Sequence, residues 1–222
     1  MIDIEILPEF SDKITDYTLV QIEADVTNGP TPQELSQELA SVADSIGKLM
    51  VISDINLRPN IRATRQAYKT LGKDPNRYRP AQERLYRRII NGQGLYSVDA
   101  LVDGGNLLSL ITGCAVGVFD RDKIAPGTVT LGVGKEGEPY HGIGRGAFNI
   151  AGMPVLRDSL GGFGTPSSDD ERTAISPSTS RILITVHCFT PEMSAEEIVC
   201  HATHIFTRFA DAKNIQHKIH RL

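Results

Sequence analysis

The 222-residue chain has no tryptophan and only three cysteines, Cys114, Cys188 and Cys200. An odd count without paired spacing excludes a disulfide framework and points to reduced thiols. Long apolar runs are missing too. The longest uncharged stretch, Gly104 to Phe119, has 16 residues and contains Asn106, Ser109, Thr112 and four glycines. A membrane span needs about 20 mostly apolar residues. The start, Met1-Ile-Asp-Ile-Glu-Ile, lacks the basic and apolar regions of a secretory signal, which predicts a cytoplasmic protein. There are no repeats, no low-complexity tract, no Walker sequence and no Gly-x-Ser-x-Gly elbow. An excess of positive charge is absent as well. The net charge is −4, from 23 basic and 27 acidic residues, which by itself argues against a nucleic-acid binder.

What is present changes that reading. Between Arg58 and Arg88 stand ten Lys or Arg against only Asp74 and Glu83, a local charge of +8. The remaining 191 residues carry −12. A basic block on an acidic body marks either a site for a polyanion or a solvated pair of helices. Arg62, Arg65, Lys69, Arg79, Arg84, Arg87 and Arg88 are its candidate RNA contacts. Tyr68, Tyr78 and Tyr86 are interleaved with them, and exposed tyrosines stack on unpaired bases.

The pattern predicts α+β organisation in a single domain spanning residues 1–222. Residues 1–57 read as N-terminal strands and a helix. Ile2–Leu7 and Tyr17–Val26 are the strands, and the helix has Leu35, Leu39, Val42 and Ile46 on one face, opened by Thr31-Pro with Thr31 as cap. Residues 58–92 form the basic helix pair, about Ile61–Leu71 and from Pro80 to Gly92. Residues 93–190 form a β-rich core. It includes a short buried helix over Leu107–Ile111 capped by Asn106, strands at Ala115–Phe119 and Thr128–Val133, a polar loop at Ser167–Arg172, and a strand over Arg181–Phe189 with Ile182, Ile184 and Val186 on one face. Residues 191–222 are assigned to a C-terminal helix, with its amphipathic part over Ser194–Lys213.

Two local motifs suggest chemistry and carry little of it. Cys200, His201 and His204 fit one helix face, but no third or fourth ligand has a recognisable spacing, so no metal is predicted. Gly142-Ile-Gly144-Arg-Gly146 lacks the strand, helix and further glycine of a dinucleotide loop, so no cofactor is predicted. His141 and His187 lie in the β region, and histidine is the side chain whose unperturbed titration falls near neutral pH.

Ordered short blocks carry a family resemblance. Arg79-Pro-Ala-Gln-Glu-Arg-Leu, Val102-Asp-Gly-Gly-Asn106-Leu-Leu-Ser109, Val116-Gly-Val-Phe-Asp120 and Gly137-Glu138 resemble the B3/B4 module of the phenylalanyl-tRNA synthetase beta chain. Arg172-Thr173 and the strand from Ser180 to Thr185 resemble its closing segment. The whole is similar to free-standing proteins built from that module, over about Arg58 to Phe189. The resemblance implies a mixed β-sheet core with helices before, between and after the strands. It also implies an editing site, which in the synthetase hydrolyses tyrosine wrongly attached to the tRNA for phenylalanine. The implied partner is the aminoacylated 3′ end of a tRNA, with an amino-acid ligand also expected.

The synthetase pattern has Thr-Asn where this chain has Gly105-Asn106, and a histidine where it has Gly117. Its glycine-rich stretch matches Gly161 through Gly164. By this resemblance the pocket would comprise Gly105, Asn106, Ser109, Gly117, Glu138 and Thr173. Asn106 would hold the ribose or the acyl oxygen, or cap its helix. Glu138 would fix the ammonium or orient water, or serve a turn. Ser109 and Asp120 also read as structural hydrogen-bonders. An editing hydrolase acting in trans without metal and a non-catalytic RNA or aminoacyl-tRNA binding module are both open, and an amino-acid binder without RNA is a third reading.

Overall fold

The computed structural model describes all 222 residues. Two four-stranded sheets enclose one core, and most of the helices cover the far face of one of them. The first sheet takes β1 (Ile4–Ile6), β4 (Val129–Val133), β7 (Pro154–Asp158) and β8 (Gly161–Gly164), in the order β1-β4-β7-β8. Only β1 and β4 run parallel. The second takes β2 (Thr18–Asp25), β3 (Ala115–Asp120), β9 (Arg181–Cys188) and β10 (Lys213–Arg221), in the antiparallel order β10-β2-β9-β3. A small hairpin pairs β5 (His141–Gly142) with β6 (Gly146–Ala147). The helices are α1 (Pro8–Ser11), α2 (Gln33–Leu49), α3 (Pro59–Thr70), α4 (Ala81–Ile90), α5 (Ala100–Thr112) and α6 (Ala195–Ala210).

The period-two alternation of β9 explains this layering. Ile182, Ile184 and Val186 point into a core shared with α5 and α6, together with Leu107, Ile205 and Phe206. Leu183 points the other way, into a second core between the sheets with Leu19, Phe119, Leu131, Leu156 and Phe163. The strand is covered on both faces, and every β9 residue after Arg181 is buried, including the polar Thr185 and His187 on the inter-sheet face. β3 divides in the same manner. Phe119 packs edge-on to Phe163 in the inter-sheet core at 5.1 Å, while Val116 and Val118 lie against the helical side.

α5 starts seven residues before the expected Leu107. Asp99 is its N-cap, its carboxylate accepting from the amides of Leu101 and Val102 at 3.0 and 2.8 Å. Asn106 therefore sits inside the helix and does not cap it. Two glycines let this helix approach both neighbours closely. A Cβ at Gly104 would lie 3.2 Å from Ile205 of α6, and one at Gly105 only 2.7 Å from Val118 of β3. The helix stops at Gly113, in the left-handed region at φ 70°.

Three other local readings are corrected. Thr31 does not cap α2; its hydroxyl donates to the buried Asp103 carboxylate at 2.6 Å. Tyr68 and Tyr86 are not open stacking platforms. Both are buried, with Tyr68 hydrogen-bonded to Ser167 and Tyr86 to the Leu110 carbonyl, each at 2.7 Å. The C-terminal helix stops at Ala210, and residues 213–221 form β10. Asp211 takes φ 48° at the helix end, and a left-handed residue turns the chain back toward β2.

Candidate functional site

α4 is held in place by Glu83. Its side chain is fully buried, and Arg65 of α3 and Arg87 each meet it at 2.8 Å, with Arg79 at 3.6 Å. Arg65 also donates to the Pro75 carbonyl and to the Asn76 side chain. Several cations of the basic block are thus engaged inside the fold. Arg58 pairs with Glu192 at 3.0 Å, and the Lys73 ammonium donates to the Asn149 carbonyl at 2.7 Å. Burial pulls the Lys73 ammonium down to about 8.

The arginines of α4, and Arg79 two residues before it, converge on a groove. Two adjoining cavities, of about 530 and about 360 Å³, share Ala81, Arg84, Asn106 and Val116 in their walls. The outer one adds Arg79, Arg87, Arg88, Tyr96 and Ser109. Arg88 stacks over the exposed ring of Tyr96 at 3.9 Å and donates to its hydroxyl at 3.0 Å. Arg84 reaches the Ser167 carbonyl. The half-buried Asn106 amide has no hydrogen-bond partner, although it faces both cavities. Ser109 has spent its hydroxyl on the Cys114 carbonyl at 2.7 Å, locking the turn after α5.

The expected pocket residues fall into two sets. Gly105, Asn106 and Ser109 line the groove with Arg79, Arg84, Arg87 and Arg88. Gly117, Glu138 and Thr173 do not. Gly117 faces the inter-sheet side of β3, where a Cβ would strike the Phe119 ring. Glu138 lies beside β4 and β7, ion-paired to Arg157 at 2.6 and 2.7 Å. Burial opposes its ionisation, but the hydrogen bonds from Arg157 and the Lys135 amide outweigh that and hold its carboxyl low. Thr173 is fully buried in a short turn, its hydroxyl 3.5 Å from the Asp170 carbonyl. Gly161 through Gly164 form β8, and the segment that follows enters the groove through Thr165, Ser167, Ser168 and Asp169. Arg62 and Lys69 are exposed on α3 and line neither cavity. Asp120 accepts from the Thr179 hydroxyl at 2.7 Å, a structural bond.

The histidines stand apart from the groove. His187 is buried between the sheets, where Nδ1 lies 2.7 Å from the Tyr17 hydroxyl, and burial holds its imidazole down at about 3. His141 is exposed on β5, with its backbone amide on Asp170. No cluster of three His, Cys, Asp or Glu side chains stands close enough to hold a metal ion.

The groove combines guanidinium groups, an unpartnered amide and an aliphatic wall. Such a lining accepts phosphates by forked hydrogen bonds beside a partly apolar group. The B3/4 domain family matches residues 63–222 of the chain. The protein belongs to this family. The match extends past Phe189 to take in α6 and β10. The chain is also similar to a solved N-terminal fragment of the phenylalanyl-tRNA synthetase beta-subunit from Pyrococcus horikoshii, at 14% identity and a TM-score of 0.46. That likeness covers 98% of this chain and 50% of the fragment, so the chain spans about half its length. No curated protein matches the chain.

In this B3/4 domain, sequence reasoning missed Tyr96, Arg145 and Asp169. Tyr96 sits in an unstructured connection, but its spacing of eight from Arg88 brings it back over the end of α4. Arg145 and Asp169 lie in segments that read as turns and polar loop, with no local signal of a shared cavity.

Proposed function

We propose that the groove receives the aminoacylated 3′ end of a tRNA, and that this B3/4 domain hydrolyses mischarged aminoacyl-tRNA in trans. One observation carries the reading. The Asn106 amide is unpartnered and stands between two cavities, one walled by four arginines and one with an aliphatic wall beside polar and charged side chains. Arg79, Arg84, Arg87 and Arg88 would meet the terminal phosphates. The Asn106 side-chain N–H would donate to the ester carbonyl as it gains negative charge. An aminoacyl ester is already activated, so alignment of one water with that donor supplies much of the catalysis.

A second reading is a binding module without chemistry. It is favoured by the groove walls, which contain no histidine, and by the location of Glu138 and Thr173 elsewhere in the fold. Release of radiolabelled amino acid from a panel of mischarged tRNAs separates the two. Turnover above buffer, reduced at least tenfold by Asn106→Ala, supports the hydrolase. Tight binding of the same tRNAs without release of any of them supports the binding module.

A further inference from the structure

Two acids border the inner cavity, and only one is occupied. Asp99 commits its carboxylate to the amides at the start of α5. The partly buried Asp169 has no hydrogen bond to its carboxylate and no ion-pair partner. Burial alone pushes its carboxyl well above the usual range. Its neighbours do not share this state. The Asp170 carboxylate accepts from the amides of His141 and Arg172 at 2.7 and 2.9 Å. The Ser168 carbonyl accepts from the hydroxyls of Tyr140 and Thr165 at 2.6 and 2.8 Å. The Asp169 carbonyl accepts from Ile143 at 3.0 Å. The backbone around Asp169 is therefore fixed on both sides while its side chain is left open to the cavity.

Arg145, exposed to solvent at the rim of the same cavity, has no ion-pair partner, and its guanidinium lies 5.4 Å from the Phe148 ring. Desolvating the Asp169 carboxylate without a partner is unfavourable, and this is what holds it toward the neutral acid. An unpartnered acid held toward its neutral form and an unpaired guanidinium that share a cavity without meeting each other are complementary to a ligand bearing both signs, whose cation would draw the acid back to its carboxylate. The surface beside them is aliphatic, from Val98, Val102, Val118, Ile143 and Ile175.

We propose that Asp169 takes the α-ammonium of an apolar amino acid, with its side chain on the aliphatic wall and Arg145 meeting the anion at the other end. That anion is the carboxylate of a free amino acid or the terminal phosphate of an acylated RNA. Naming the acyl group rests on the aminoacyl reading of the groove; the ammonium site itself does not need RNA.

The test uses amino-acid amides and ligand-observed NMR on the full chain. L-Leucinamide has the ammonium and the apolar side chain. N-acetyl-L-leucinamide lacks the charge, and glycinamide lacks the side chain. Wild-type protein is expected to bind L-leucinamide at least tenfold more tightly than either control, and Asp169→Asn is expected to remove that advantage over the acetylated amide. Equal binding of the acetylated amide, or full affinity in Asp169→Asn, overturns the proposal, as does the absence of L-leucinamide binding. Asp169→Asn is nearly isosteric; should it fail to fold, the wild-type comparison of the two leucine amides decides alone. Arg145→Gln separates the anion sources. Loss of an L-leucine advantage over L-leucinamide identifies the carboxylate, and weaker binding of an uncharged acceptor-stem minihelix identifies the phosphate. If Arg145→Gln produces neither change, the Arg145 assignment is overturned. If the minihelix fails to bind wild type while the amides behave as expected, the tRNA reading fails and the ammonium site stands.

Discussion

Glu83→Gln removes the single buried charge around which three arginines are arranged. The side chain is fully inaccessible, with contacts of 2.8 Å to Arg65, 2.8 Å to Arg87 and 3.6 Å to Arg79. Taking one partner from a buried ion pair costs about 3–5 kcal/mol, because the other charge is left desolvated. Here relief is available. Arg65, Arg79 and Arg87 keep 14%, 46% and 24% side-chain exposure, and Arg65 retains two other acceptors. The expected loss is therefore about 2–4 kcal/mol, a large share of a total near 5–15 kcal/mol. Urea unfolding at pH 7 measures it, read as a shift in midpoint at constant slope. Arg79→Gln is the internal comparison. Its contact is longer and half exposed, so it should lose no more than about 1 kcal/mol. A loss below about 1 kcal/mol for Glu83→Gln, or one no larger than that of Arg79→Gln, refutes the claim that Glu83 organises the cationic wall.

Three other outcomes follow from the same geometry. Asn106→Ala removes no hydrogen bond and improves helix propensity, so stability should hold or rise by about 0.5 kcal/mol while release of amino acid from mischarged tRNA falls at least tenfold; loss of stability and activity together would contradict this. Gly105→Thr, which restores the residue of the synthetase pattern, drives a Cβ to 2.7 Å from Val118 and should cost about 1–3 kcal/mol. Val118→Ala in the same chain should recover much of that, and a double-mutant cycle in urea with no coupling would contradict the clash. The His187 imidazole is held at about 3 by burial, below its unfolded value. The unfolded chain then binds more protons below about pH 6.5, so this contribution is complete above that pH and is lost as pH falls toward about 3. At pH 5 the loss should be roughly 2 kcal/mol relative to pH 7, and a His187→Gln chain should lack that increment; identical pH dependence in the two chains would refute it.

Elements whose signal is local could be read from the chain. The alternation of Ile182, Ile184 and Val186 specifies β9, and the two basic helices end close to the expected glycines. β10 was hidden because it is an edge strand held chiefly by backbone pairing to β2, with only Ile215 and Ile219 touching the core. Such a strand needs little apolar pattern of its own. The start of α5 is masked in the sequence by Gly104 and Gly105, which have the character of helix breakers. They are close-approach positions, and the cap at Asp99 lies well upstream. In the groove, the block that joins Gly105, Asn106 and Ser109 is contiguous and was legible. Glu138 was not separable from it in sequence, because only the ion pair to Arg157 across 19 residues shows that its carboxylate is committed elsewhere. Net charge misled in both directions. The total conceals the basic block, and the block's +8 does not show that its own Glu83 is buried and draws Arg65 and Arg87 onto itself.

The most direct test of the groove as an RNA site is the salt dependence of binding to a 5′-fluorescein acceptor-stem minihelix, followed by anisotropy between about 50 and 200 mM salt. Each arginine that neutralises a phosphate contributes close to one unit of slope. The account predicts that Arg79→Gln and Arg88→Gln each flatten the slope by about one, while Arg62→Gln and Lys69→Gln on α3 leave it unchanged. An unchanged slope in both groove variants, with a flatter one in the α3 variants, would place the RNA on another face and contradict the account.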